Sequence, residues 1–395
     1  MRLFDAIERY DMAPKTESGA SFPFLNTSAQ PAFAKVRMLL ESWFANYPVE
    51  HQADLLGRFR SSDDYNHAAS FFELFLHQLL LQLDCKVVIH PELPIADARP
   101  DFHVVSSTGD EFYLEAAAVM EYSNSERAAH TRYRLLLDGL NAVRSPNFFL
   151  DITGRELPKR NVRIREIQNE VATWLNGLDY ELVKSQATAQ DWKALPRLVY
   201  RDDNMWIELR ALPKGPKMRG KQGVRTVGFQ GGGMRWVNVS GRIKKTLLRK
   251  AHTYGEMNVP YVIAINVMDP KLDREDLVEA LFGSERIPVL FRNGKAEAGE
   301  PYRGADGFWR DSIGARKKGV SAILVGAPIL PWNIPNADLR LVLNPWTQRP
   351  YNSALCRLPR LVAEPPYLRW LDGESLSSIF GIYPDWPGTA FPRNQ

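Results

Sequence analysis

Three observations predict an α/β protein in which helices alternate with buried strands. Runs with apolar residues at helical spacing alternate with short β-branched or aromatic runs. One of these short runs, YVIAINV at 261–267, is apolar almost throughout, as buried central strands are. Pro, Gly and Asp punctuate the runs as turns do, at Pro91, Pro100 and Thr108-Gly109-Asp110.

Taken in order, residues 1–61 read as an N-terminal helical extension: a first short helix, a loop rich in Ser, Pro and Thr, then PAFAKVRMLLESWFANY with helical periodicity. An α/β core is expected over 62–270, with a basic insertion at 213–250. It opens with SSDDYNHAASFFELFLHQLLLQL, capping residues running into a strongly apolar helix. Three strand-like runs follow, CKVVIHPEL, RPDFHVVSS and EFYLEAAAV. Beyond them come a helix near 125–144, a strand at NFFLDIT, a helix at RIREIQNEVATWLNGL, the strand-like MWIELRAL, and a helix over 241–256 leading into YVIAINV. Residues 271–395 carry about half of the 27 prolines and of the 10 tryptophans, which predicts a loop-rich C-terminal region packed on the core.

With 45% apolar and 24% charged residues in 395, the chain can build a core, and disorder is excluded. No apolar run reaches the roughly 20 residues of a membrane span, and the opening MRLFDAIERYD has acids where a secretory signal is apolar. No membrane association is therefore expected. Cys85 and Cys356 sit in no CxxC or Cys/His cluster, which argues against a disulfide framework or structural zinc and suits a reducing cytoplasm.

The chemistry rests on Glu73 in the first long helix, Asp101 in Arg-Pro-Asp-Phe, and Glu115 in Tyr-Leu-Glu-Ala-Ala. Asp101 is expected to open one strand and Glu115 to close the next, so a hairpin brings both carboxylates to one edge of a sheet. Two converging carboxylates suit Mg²⁺ or Mn²⁺, which prefer oxygen ligands and can assist phosphodiester hydrolysis. Each residue has a plainer reading. An Asp after Pro often caps a turn, and Glu73 can face solvent between core positions. Glu115 is harder to dismiss, because an acid on an apolar strand is costly to bury unpaired.

A helical Glu, a strand, a Pro-Asp opening a second strand and a Glu in an apolar third strand resemble the PD-(D/E)XK nuclease superfamily, over residues 62–120 and less closely to about 270. The resemblance implies a restriction-endonuclease-like core, a mixed sheet flanked by helices, in which Asp101 and Glu115 bind the metal and Glu73 assists. It also implies a cytoplasmic endonuclease acting on DNA, of a bacterial defence or mobile-element type. The superfamily's lysine, two residues after the second acid, is replaced here by Ala117. Lys250 and Lys244 on the 241–256 helix lie at and within its apolar arc and could replace it, Lys250 being preferred; snorkelling to water is the alternative for both. Gln168 is a weaker substitute, and His90 reads as a turn residue that could line the site.

From Lys214 to Lys250 the sequence holds eleven basic residues and no acid, and taking these from the net +4 leaves the rest of the chain at −7. Lys214, Lys217, Arg219, Lys221, Arg225, Arg242, Lys245 and Arg249 are the candidate nucleic-acid contacts. Interspersed glycines (Gly220, Gly223, Gly228, Gly231–Gly233) permit close approach, and Phe229 and Trp236 offer stacking faces. A solvated basic face is the alternative. No Walker or dinucleotide-binding glycine pattern is present, so no nucleotide cofactor is expected. Two rival readings remain: a catalytically silent nucleic-acid-binding protein with a decayed nuclease site, and an interaction subunit docking a copy of itself or a partner through the C-terminal region.

Overall fold

The computed structural model describes residues 1–93, 98–120, 122, 124–221, 224–229, 239–254, 257–269, 272–292, 295–364 and 367–388. The chain divides into two compact units. The first comprises 1–14, 20–121 and 238–395, and the second 15–19 and 122–237. The stretch expected as one core over 62–270 is thus interrupted by a segment with a sheet and a hydrophobic core of its own.

In the first unit, an eight-stranded mixed sheet runs in the order Lys86–Ile89, Phe102–Val105, Glu111–Val119, Tyr261–Val267, Ala322–Ala327, Asp338–Leu343, Arg360–Glu364, Tyr367–Leu371. Tyr261–Val267 pairs in parallel with Glu111–Val119 on one side and Ala322–Ala327 on the other, and every one of its residues is buried. Its unbroken apolar run follows from that central position. The Asp64–Gln82 helix starts where the Asp63 side chain accepts the Tyr65 N–H at 2.8 Å. Its Phe72, Phe75 and Leu79 join Leu114, Val262, Ala264 and Leu324 of the sheet in one core cluster. Ile263 and Ile265 alternate to the other face, as strand periodicity requires. The Val239–Ala251 helix also packs against Glu111–Val119 and Tyr261–Val267.

The chain ends depart from the sequence reading. Residues 1–20 contain no helix; the N-terminal helices are Ser21–Thr27, Pro31–Ala45 and Gln52–Phe59, and Phe22, Phe33 and Trp43 enter the same core cluster. The C-terminal region supplies four strands of the main sheet together with Leu355 and Ile379 of that core. Its strands are short and Pro-flanked, which hid them from periodicity.

The second unit has a four-stranded sheet ordered Arg197–Arg201, Trp206–Pro213, Phe148–Glu156, Val227–Phe229. Leu136 and Leu140 of the Asn124–Ala142 helix and Ile167 and Val171 of the Ile164–Asn176 helix pack with Leu150, Ile152, Ile207 and Leu209 of this sheet. Among the described residues no helix is long and apolar enough to cross a membrane, and Cys85 and Cys356 are free thiols.

Candidate active site

The site lies in the first unit and is set by strand register. Pro100 restricts its own φ and keeps the chain extended into Phe102–Val105. Pairing of Phe102 with Leu114 puts Asp101, one position earlier, opposite Glu115, one position later. Glu115 does not close its strand as expected; the strand continues to Val119, held by parallel pairing with Tyr261–Val267. The two acids are linked through the backbone: the Ala116 N–H donates to Asp101 Oδ2 at 2.6 Å, and the Asp101 N–H donates to Glu115 Oε2 at 3.3 Å.

Glu115 is 2% exposed and fully engaged. The Lys250 ammonium, carried by the last turn of the Val239–Ala251 helix, donates to its Oε1 in an ion pair buried on the carboxylate side and half-buried on the lysine side. One turn on, the Tyr254 hydroxyl donates to Oε2 at 2.5 Å and lies 3.1 Å from the Arg99 carbonyl. Burial, then the Glu115 charge, holds the Tyr254 phenol well above its ordinary value, so it is a proton donor throughout the neutral range. The Tyr261 hydroxyl donates to the Lys250 carbonyl at 3.2 Å and steadies the end of this helix.

Asp101 carries the marked electrostatic perturbation. Burial first, then the charges of Glu115 and Glu73, push its carboxyl up to about 8, while the Ala116 N–H and Lys250 pull the other way. At neutral pH without a cation it holds a proton.

Glu73 is 4% exposed, which overturns the solvent-facing alternative. Tyr47 donates to its Oε1 at 2.6 Å, and Arg58 donates to Oε2 at 2.6 Å and to Oε1 at 3.2 Å. Its charge reaches Asp101, but its oxygens are committed to these two partners. Beside it, burial pushes the His77 imidazole down to about 4, and its Nδ1 has no hydrogen-bond partner.

Among the described residues no group of three or more His, Cys, Asp and Glu could hold a metal ion. Among the described residues the candidate donors are therefore Asp101 and Glu115. Their chemistry fits a hard divalent cation, since both offer carboxylate oxygens and their mutual repulsion is a strain such an ion relieves.

The other candidates lie elsewhere. Lys244 donates to the Asp306 carbonyl at 2.7 Å rather than reaching the acids. Gln168 belongs to the second unit, where it donates to the Gly139 carbonyl at 2.9 Å. His90 is a turn residue with φ +47° whose N–H donates to the Asp101 carbonyl at 3.0 Å. Ala117 is buried, two positions beyond Glu115 on the same face of the strand.

The basic stretch is divided between the units, Lys214 to Arg225 in the second and Arg242 to Lys250 in the first. Lys217, Lys221, Lys245 and Arg249 are exposed. Others are committed. Lys214 is 1% exposed with its ammonium on the Ser145 carbonyl, which withdraws it from the surface contact with nucleic acid expected of it. Arg219 lies 3.8 Å over the Tyr180 ring, Arg225 pairs with Glu17 at 2.8 Å, and Arg242 pairs with Asp269 at 2.7 Å. Gly223, Gly231–Gly233, Arg235 and Trp236 lie outside the described residues.

Sequence reasoning did not single out Tyr47, Arg58 or Tyr254 as site residues. The four-residue spacing of Lys250 and Tyr254 could have marked Tyr254, since both then share a helix face; no sequence signal marks Tyr47. Compared with known proteins, the chain matches no family model, no curated protein and no solved structure.

Proposed function

We propose that this protein is a divalent-metal-dependent nuclease that hydrolyses phosphodiester bonds of DNA, with a restriction-endonuclease-like core in the first unit. The observation that carries the reading is the meeting of Asp101, Glu115 and the Lys250 ammonium, brought together by two paired strands and the Val239–Ala251 helix. Asp101 and Glu115 would hold the ion. When bound, Mg²⁺ or Mn²⁺ supplies charge stabilisation at phosphorus and a more acidic water. Lys250 takes the place left by Ala117: its ammonium lies beside the acids and would offset charge on the attacked phosphate. Tyr254 fixes the orientation of Glu115, and Asp101 must release its proton first. Within each unit exposed cations, Lys245 and Arg249 in the first and Lys217 and Lys221 in the second, offer the charge that contact with a DNA backbone needs. Free Cys85 and Cys356 suit a cytoplasmic setting.

The test is cleavage of supercoiled plasmid by the full chain in Mg²⁺ or Mn²⁺. Wild type should nick or linearise it, and Asp101→Asn and Glu115→Gln should each abolish cleavage. A folded wild type inactive on DNA and RNA would refute the reading.

One observation favours the catalytically silent rival. The Glu115–Lys250 pair neutralises itself, and among the described residues no third ligand joins Asp101 and Glu115, so the pair is electrostatically satisfied without metal. Binding of DNA that is insensitive to both acid variants, without cleavage, would decide for that rival.

A further inference from the structure

The second unit contains a cavity of about 410 Å³ lined by Arg144, Lys214, Lys221 and Arg225 and by no acidic residue. Its neutral polar walls are already committed. Ser145 Oγ donates to the Phe148 carbonyl at 2.7 Å, Thr226 Oγ1 to the Val143 carbonyl at 2.6 Å, and Asn141 Oδ1 accepts the Val227 N–H at 2.9 Å. These bonds brace the cavity and leave its cations as the groups with capacity to spare.

Lys214 makes the case. It is 1% exposed, one hydrogen bond of 2.6 Å joins its ammonium to the Ser145 carbonyl, and its Nζ lies 4.8 Å from the centre of the Phe149 ring. No carboxylate pairs with it among the described residues. The unit's remaining residues, 123, 222–223 and 230–237, include no Asp or Glu. A buried ammonium without a counter-charge is costly, and burial accordingly lowers its ordinary value. Arg144 and Lys221, both exposed, bring two more cations to the same wall. Arg225 is offset by Glu17 and counts for less.

We propose that this cavity is a binding site for a phosphate monoester, held by Lys214 with Arg144 and Lys221. A dianion matches a wall of three cations facing no acid, and the ammonium and guanidinium donors suit its oxygens. A cavity of about 410 Å³ exceeds a bare phosphate and accommodates the nucleoside attached to it. The source is either a free nucleotide or the phosphorylated end of a nucleic-acid strand.

Calorimetry on the full chain without metal tests it, using inorganic phosphate, AMP, and a short 5′-phosphorylated oligonucleotide beside its dephosphorylated counterpart. Phosphate and AMP should bind at one site, AMP the tighter. Arg144→Ala with Lys221→Ala, at two exposed positions, should weaken both by about tenfold or more. Lys214→Met, which keeps the apolar stem, should abolish binding; should it not fold, the double variant decides. A phosphorylated strand binding better than its counterpart assigns the site to strand ends, and AMP binding with equal strands assigns it to a free nucleotide. No heat from a folded wild type, or unchanged affinity in the double variant, overturns the site. Neither cleavage nor metal enters, so the result is independent of the nuclease reading.

Discussion

The Lys250 ammonium rests on Oε1 of Glu115, from a helix that begins 120 positions beyond the end of the Glu111–Val119 strand, and thereby places a cation beside Asp101 where Ala117 offers none. Removing it leaves a carboxylate only 2% exposed without its ion-pair partner. Breaking such a pair typically costs a few kcal/mol, so Lys250→Ala should lower metal-free stability by about 2–4 kcal/mol in urea denaturation, and saturating Mg²⁺ should restore part of it. Turnover should fall about a hundredfold or more. Adding Ala117→Lys returns an ammonium to the same strand face and should recover part of the activity. Full activity in Lys250→Ala would mean that this lysine has no catalytic part.

Asp101 makes stability depend on pH in an unusual direction for an acid. Folded, it keeps its proton to about pH 8, whereas an unfolded Asp releases it near 3.8. Between these values the folded state binds more protons, so stability declines as pH rises through the window. Asp101→Asn cannot ionise, so it should match wild type near pH 4 and exceed it near pH 8 by on the order of 2 kcal/mol. Because a cation needs the ionised acid, Mg²⁺ affinity should rise up to about tenfold per pH unit below 8 and level off above it. Calorimetry at neutral pH in buffers of different ionisation heat should show proton release, absent in the variant. A pH-independent affinity would contradict the shift.

Glu73 separates support from chemistry. Glu73→Ala strands the Tyr47 hydroxyl and the Arg58 contact and should cost about 2–4 kcal/mol. Glu73→Gln keeps the shape and one acceptor and should cost less, about 1–2 kcal/mol. Both remove a negative charge that raises the Asp101 carboxyl. The pH at which Mg²⁺ affinity levels off should therefore move to lower pH in Glu73→Gln, measured by the same calorimetric series. No movement would show that the charge does not reach the site.

The sequence carried the pairing of Asp101 and Glu115 because strand period and a short turn fix it locally: two β-rich runs flanking Thr108-Gly109-Asp110 can close only as a hairpin. It carried Lys250 because 100° per residue puts that lysine on the edge of an apolar arc. The partners of Glu73 were not legible, since Tyr47 and Arg58 reach it from separate N-terminal segments and no local period links them. Nor was the second unit: NFFLDIT and MWIELRAL read as strands, but which sheet a strand joins depends on long-range pairing. The Arg360–Glu364 and Tyr367–Leu371 strands were lost among prolines, though their antiparallel pairing extends the main sheet.

The exposed cations of the second unit differ in how freely each could meet a DNA backbone. Lys217 and Lys221 are exposed, whereas Arg219 stacks 3.8 Å from the Tyr180 ring and donates to Asn147 Oδ1 at 3.0 Å. On duplex DNA each neutralised phosphate releases about 0.9 of a counterion. Three equal contacts would flatten the slope of log affinity against log salt by about 2.7. With Arg219 held by its neighbours, replacing all three by alanine should flatten it by about 1.8, and Lys217→Ala with Lys221→Ala should do the same alone. Arg219→Ala should leave the slope nearly unchanged and instead lower stability by about 0.5–1 kcal/mol through the lost ring contact. Fluorescence anisotropy of a labelled duplex across a salt series measures the slopes. A slope unchanged by the lysine pair would place Lys217 and Lys221 on an ordinary solvated face, and a drop of one unit from Arg219→Ala would show that the guanidinium leaves Tyr180 for a phosphate.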